Sequence, residues 1–167
     1  MRSPCRAVDT TFFDRARWRF RFEAELPVTA KEAFAIFEDA AAWPQWLSAI
    51  AEVIWTSPRP FGVGTTRTVR LHAATVYEHF FRWEQDRRFS FYVLEHEAPV
   101  PLFRALAEDY LLEDLGGGRC RFTYLVAIDP ALSLKLLGPL GRFALRRGFA
   151  SGPKTLARRA KSLVRTG

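Results

Sequence analysis

Between Arg15 and Leu26 two kinds of residue alternate. Arg15, Arg17, Arg19, Arg21 and Glu23 take every second place, with Ala16, Trp18, Phe20, Phe22 and Ala24 between them. Side chains point to opposite faces along a strand, so this period of two predicts a strand with one wet and one dry face. A sheet built of such strands must bury its dry face against another part of the chain. Pro27 stops the strand, and Thr29 is placed to cap a short helix over residues 31–39, with Ala33, Phe34 and Phe37 on one face. AAAWPQW, residues 40–46, then reads as a sharp corner into a second short helix ending near Ala49.

Six further strands are predicted over residues 50–56, 65–71, 75–84, 89–97, 103–114 and 119–128. Short Pro- or Gly-rich breaks separate several of them, such as PRPFGVG at 58–64 and GGG at 116–118. The stretch ALAEDYLLEDL inside 103–114 also carries a helical period. Consecutive strands on short loops imply an antiparallel meander. Residues 132–164 read as one long helix. Leu136, Leu137, Leu140, Phe143 and Ala144 begin its apolar stripe, and Phe149, Leu156, Ala160 and Leu163 continue it. Gly148, Gly152 and Pro153 predict a kink. This helix is the only element large enough to cover the concave side of a curled sheet. The expected fold is therefore α+β: a curved antiparallel sheet of about seven strands around a C-terminal helix. The domain spans residues 15–164, and residues 1–14 read as a flexible N-terminus.

The chain has 167 residues, which suits one domain. Its aromatic content is high, with fifteen Phe and five Trp. Such rings either fill a large interior or line one. A cavity is expected between sheet and helix, lined by Trp18, Phe20, Phe81, Phe122 and Tyr124, with Trp43 and Trp46 closing the narrow end. The two cysteines, Cys5 and Cys120, make no disulfide framework. The first residues carry no signal-peptide core, and no apolar run reaches the roughly 18 residues of a membrane span. A cytoplasmic, reduced location is expected.

Alternation also selects polar candidates. If Phe81 and Trp83 face inward, so do Tyr77 and His79. Glu108 and Tyr110 share a face with Leu106 and Leu112, and His96 shares one with Tyr92 and Leu94. One or two of these would orient a ligand carbonyl or hydroxyl; otherwise they are satisfied core or strand-end residues. Glu78 falls on the outer face by the same count, as a salt-bridge partner; a one-residue bulge would reverse it. His72, His79 and His96 lack metal-ligand spacing, and there is no nucleophile elbow or phosphate loop, so neither metal nor cofactor is expected.

The net charge of +7 is unevenly spread. Nine of the 25 Lys and Arg lie between Lys135 and Arg165 with no acid among them, while 16 bases face 18 acids in the rest. That segment could attract an anionic membrane surface weakly, or be the solvated face of a long helix. No recognition motif accompanies the bases, so nucleic acid is not expected as a partner. No pattern specifies an oligomeric state.

Several local motifs now resemble a known family. They are Asp39 followed by Trp43, Pro44 and Trp46; the Pro60, Gly62, Gly64 loop; Glu78 in a strand ending in Trp83 and Glu84 before Asp86; and GGGRCRFTYLV before the last helix. In this order, over residues 15–164, they resemble the START-like (SRPBCC, helix-grip) superfamily and its bacterial polyketide cyclase/dehydrase branch. The resemblance implies a helix-grip fold with a cavity, and no shared catalytic residues. Three functions follow as expectations. The first is binding of a small hydrophobic molecule or lipid. The second is an enzyme of the cyclase/dehydrase type, with His79 or a cavity Glu or Tyr as general acid/base. The third is a partner-binding module with a filled interior.

Overall fold

A computed structural model describes residues 1–166. The chain forms β1 (Arg2–Pro4), α1 (Phe12–Arg15), β2 (Trp18–Leu26), α2 (Ala30–Glu38) and α3 (Trp43–Trp46). There follow β3 (Ile50–Trp55), β4 (Thr66–Leu71), β5 (Thr75–Glu84), β6 (Arg88–Glu97), β7 (Phe103–Gly116) and β8 (Arg119–Pro130). Two helices end it, α4 (Leu132–Leu136) and α5 (Gly138–Thr166). The antiparallel sheet runs β2-β8-β7-β6-β5-β4-β3, and β1 attaches to β6 outside that path. The curved seven-stranded sheet with a long C-terminal helix is the expected helix-grip arrangement.

Residues 103–116 form a strand despite their helical period, because β6 and β8 flank them and pair with them. The β7–β8 turn places Gly116, Gly117 and Gly118 all at φ between 60° and 77°, a backbone region that favours glycine. The α2 start is set locally. Thr29 Oγ1 accepts from the Glu32 N–H, and the Glu32 carboxylate accepts from the Thr29 N–H at 2.8 Å. This reciprocal cap satisfies two donors that the helix leaves free. Thr29→Ala is expected to cost about 1 kcal/mol in urea unfolding; an unchanged midpoint would mean that packing alone holds α2.

The aromatic surplus fills the narrow end of the grip. Phe37 sits 5.2–6.0 Å from the rings of Trp43, Trp46, Phe89, Tyr110 and Phe122. The second half of α5 packs there through Leu156, Ala160 and Leu163, all buried. Gly152 lets the helix approach closely: a Cβ there would lie 3.2 Å from Leu47 Cδ1 and 3.3 Å from Trp46 Cζ3.

Two expectations need correction. The C-terminal segment, expected as one helix over residues 132–164 with a kink at 148–153, is divided before Gly138, where φ is +54°, and α5 then continues through Pro153. Its apolar stripe is buried only in the second half; Leu136, Leu137, Leu140 and Phe143 point to solvent. The N-terminus is also not loose. β1 pairs with β6, the Cys5 N–H donates to Leu94 O, and the Arg6 N–H donates to Arg104 O. Phe12 and Ala16 then cover Ala105, Ala107 and Ala127 on the convex face, where small side chains let α1 lie flat on the sheet.

Candidate functional site

The concave side of the sheet, the α3 corner and the first half of α5 enclose a cavity of about 310 Å³. Its wall is mostly apolar, with Ile50, Val69, Val93, Leu106, Ile128 and Phe149 among the lining residues. The exposed residues Ala144 and Gly148 stand at its rim. Five polar side chains converge on this apolar space: Arg67, Glu78, Glu108, Tyr110 and Tyr124.

They form two linked groups. The Tyr110 and Tyr124 hydroxyls both donate to Glu108 Oε2, at 2.9 and 2.8 Å. Burial pushes the Glu108 carboxyl up to about 7, and the nearby Glu78 charge adds to this; donation from the two tyrosines opposes it. Arg67 and Glu78 are cross-strand partners on β4 and β5, and Arg67 Nε donates to Glu78 Oε2 at 2.5 Å. Both are almost wholly buried, at 2% and 5% exposure. Burial raises the Glu78 carboxyl, and Arg67 pulls it back. The guanidinium carbon of Arg67 lies 4.4–5.2 Å from the ring centres of Trp43, Phe91, Phe80 and Trp55. Such an aromatic box favours a cation that has been taken out of water. Among the described residues, no protein atom accepts from Arg67 Nη1.

Of the residues selected from the sequence, Glu108, Tyr110 and Tyr124 line the cavity. Phe122 is buried beside it, in the ring cluster around Phe37. Trp18 and Phe20 lie under the start of α5 and floor a separate groove instead. Tyr77, His79, Phe81 and Tyr92 are on the convex face, which corrects their expected orientation. His79 and Phe81 pack on Tyr92, Phe13 packs on Phe81, and Tyr77 donates to Glu97 at 2.8 Å. The reason is a bulge. Phe80 pairs with Phe91 and Arg82 with Ser90, so Phe81 is skipped. Counting back from Trp83 across that bulge inverts every residue before it. Val76, Glu78 and Phe80 therefore face inward, and Glu78 is a cavity residue rather than an outer one. A second bulge, at Leu94, returns His96 to the interior, where its Nε2 accepts from the Leu102 N–H at 2.9 Å. Arg67 was not among the candidates. Its signal was present, since it alternates with Val69 and Leu71 on one face of β4.

Comparison with known proteins places this geometry. The family described as "Polyketide cyclase / dehydrase and lipid transport" matches residues 17–161. The chain belongs to that family. Uncharacterised proteins of Mycobacterium tuberculosis and Mycobacterium bovis are 38% identical over 149 residues, covering 86% of this chain and 87% of theirs. A START superfamily protein of Mycobacterium smegmatis superposes with a TM-score of 0.72 at 13% identity, over 87% of this chain and 98% of that one. An aromatase/cyclase of Streptomyces sp. R1128, ZhuI, superposes with a TM-score of 0.69 at 10% identity, over 88% of this chain and 95% of that one. At these identities the superpositions show the fold. This member of the polyketide cyclase/dehydrase family thus has the START-like fold. No helix among its described residues is long and apolar enough to cross a membrane.

Proposed function

We propose that the chain binds one small hydrophobic molecule, lipid-like or polyketide-like, in the cavity, and that Glu108 with its two tyrosines orients an oxygen of that molecule. The observation that carries this reading is an apolar wall interrupted at one place by a compact polar cluster. A cavity of about 310 Å³ lies at the small end of the range for small-molecule sites, roughly 300–1,000 Å³. It also argues against a filled interior. Arg67 Nη1 supplies a further donor to an acceptor on the ligand.

The test is a fluorescent hydrophobic probe titrated into wild type and two variants. Wild type should bind at about one site. Glu108→Gln should weaken binding about 2- to 12-fold, the worth of one hydrogen bond. His79→Ala should leave affinity unchanged, because its ring lies on the convex face. Absence of probe binding to the folded wild type would refute the reading.

A second reading rests on Glu108 itself. A carboxyl held at about 7 is suited to donate and accept protons at neutral pH. On that reading Glu108 is the general acid/base of a cyclisation or dehydration. A polyketide-like substrate recovered unchanged after binding supports carriage. A product formed by wild type and not by Glu108→Gln supports catalysis.

A further inference from the structure

A second concavity lies outside the cavity, between β2 and the α4–α5 junction. It is a groove of about 500 Å³ whose floor includes Trp18 and Phe20. Arg17, Arg19, Lys135, Arg142 and Arg146 line it, with no acid among the lining residues. Among the described residues none of these five side chains forms an ion pair, although Arg19 donates to the backbone oxygen of Asp14. Beside the groove Leu136, Leu140 and Phe143 are 79%, 79% and 62% exposed. Large apolar side chains seldom stand out so far together on a monomer, and here cations border them.

We propose that this face docks on a bilayer containing anionic phospholipid, with phosphate groups among the groove cations and Leu136, Leu140 and Phe143 in the apolar boundary. Charge complementarity favours that occupant, since five cations and no acid line the groove. The pattern of basic residues flanking protruding Leu and Phe is that of an interfacial helix. The same segment reaches the cavity from its other side through Leu134 and Leu145. Docking would bring the rim at Ala144 and Gly148 close to the lipid. The docking itself stands whatever the cavity holds.

Co-sedimentation with phosphatidylcholine vesicles, with and without phosphatidylglycerol, tests it. Wild type should partition onto the phosphatidylglycerol vesicles and be released by salt. Arg142→Gln with Arg146→Gln should weaken partitioning about thirtyfold, at about fivefold per base. Leu140→Ser with Phe143→Ser should weaken it about tenfold or more. Both pairs are exposed, so the fold should persist with at most a small drop in melting temperature from the lost contacts of Arg142 and Arg146 over Phe20 and Phe22 and from serine in the helix. Lys154→Gln with Lys161→Gln is the control. Lys154 lies about 18 Å along α5 from Arg142, beyond the screening length, and this pair should cost about threefold or less. The proposal fails if wild type ignores phosphatidylglycerol vesicles. It fails if the control pair costs as much as the groove pair, because the attraction is then diffuse. It also fails if the serine pair leaves partitioning intact but dissolves a dimer seen by light scattering, which would make the patch a self-association surface.

Discussion

Arg67→Ala is expected to lower the unfolding free energy by about 3–5 kcal/mol. The loss does not measure the worth of the ion pair. It measures what remains when one partner goes: Glu78, 5% exposed and deprived of the cation it is paired with. A carboxyl so placed escapes part of the penalty by taking up a proton. The cost of Arg67→Ala should therefore shrink as pH falls, and Glu78→Gln in the same chain should recover part of it at neutral pH. Urea unfolding of the three variants at pH 5 and pH 8 reads all of this. A loss under about 1 kcal/mol at pH 8 would mean that water reaches Glu78 freely.

Between pH 5 and pH 8 the wild-type protein should lose stability through Glu108. Its carboxyl is raised to about 7 in the fold, against an ordinary value of 4.5. The folded state thus holds this proton more tightly than the unfolded chain does. The sign follows: folding is favoured while Glu108 is protonated in both states, the advantage declines as pH rises from about 4.5, and it is gone above about 7. The change amounts to up to about 3 kcal/mol. Glu78, raised in the same direction by burial, adds to it. Carboxyls held low by their partners, such as Asp9 and Glu32, act in the opposite sense at more acidic pH, and His96, held low by burial, opposes Glu108 within the window itself. Glu108→Gln should remove this contribution, so that the difference between wild type and variant narrows as pH rises from 5 to 8. Parallel profiles for wild type and variant would show that Glu108 ionises at its ordinary value.

How far the sequence carries these conclusions depends on what sets each feature. Strand boundaries were legible because period-two alternation and Gly or Pro punctuation are local; β5 runs over Thr75–Glu84 as expected. The inward direction of Glu108 and Tyr110 was legible for the same reason, since β7 is regular across that stretch. Glu78 and His79 exchanged faces because the bulge at Phe81 leaves no mark in composition. Phe81 is as apolar as its neighbours, and the ring packing around Trp83, Phe89 and Tyr92 decides which residue is skipped. Arg67 was overlooked because charge argues for the surface. Only its cross-strand partner and the rings around it make burial tolerable. The exposed stripe of α5 inverts the usual rule, and periodicity cannot say whether an apolar stripe meets a sheet or something outside the chain.

The three residues of β1 occupy a critical place. β6 and β7 pair only from Arg88 to Tyr92, and beyond that they diverge. Residues 2–6 fill the opening, pairing with Glu95–Glu97 and bonding to Leu94 and Arg104. Without them the backbone groups along one side of β6 would face outward from the middle of the sheet, an invitation for a strand of another molecule to add there. Residues 2–6 thus cover that part of β6 with backbone from the same chain.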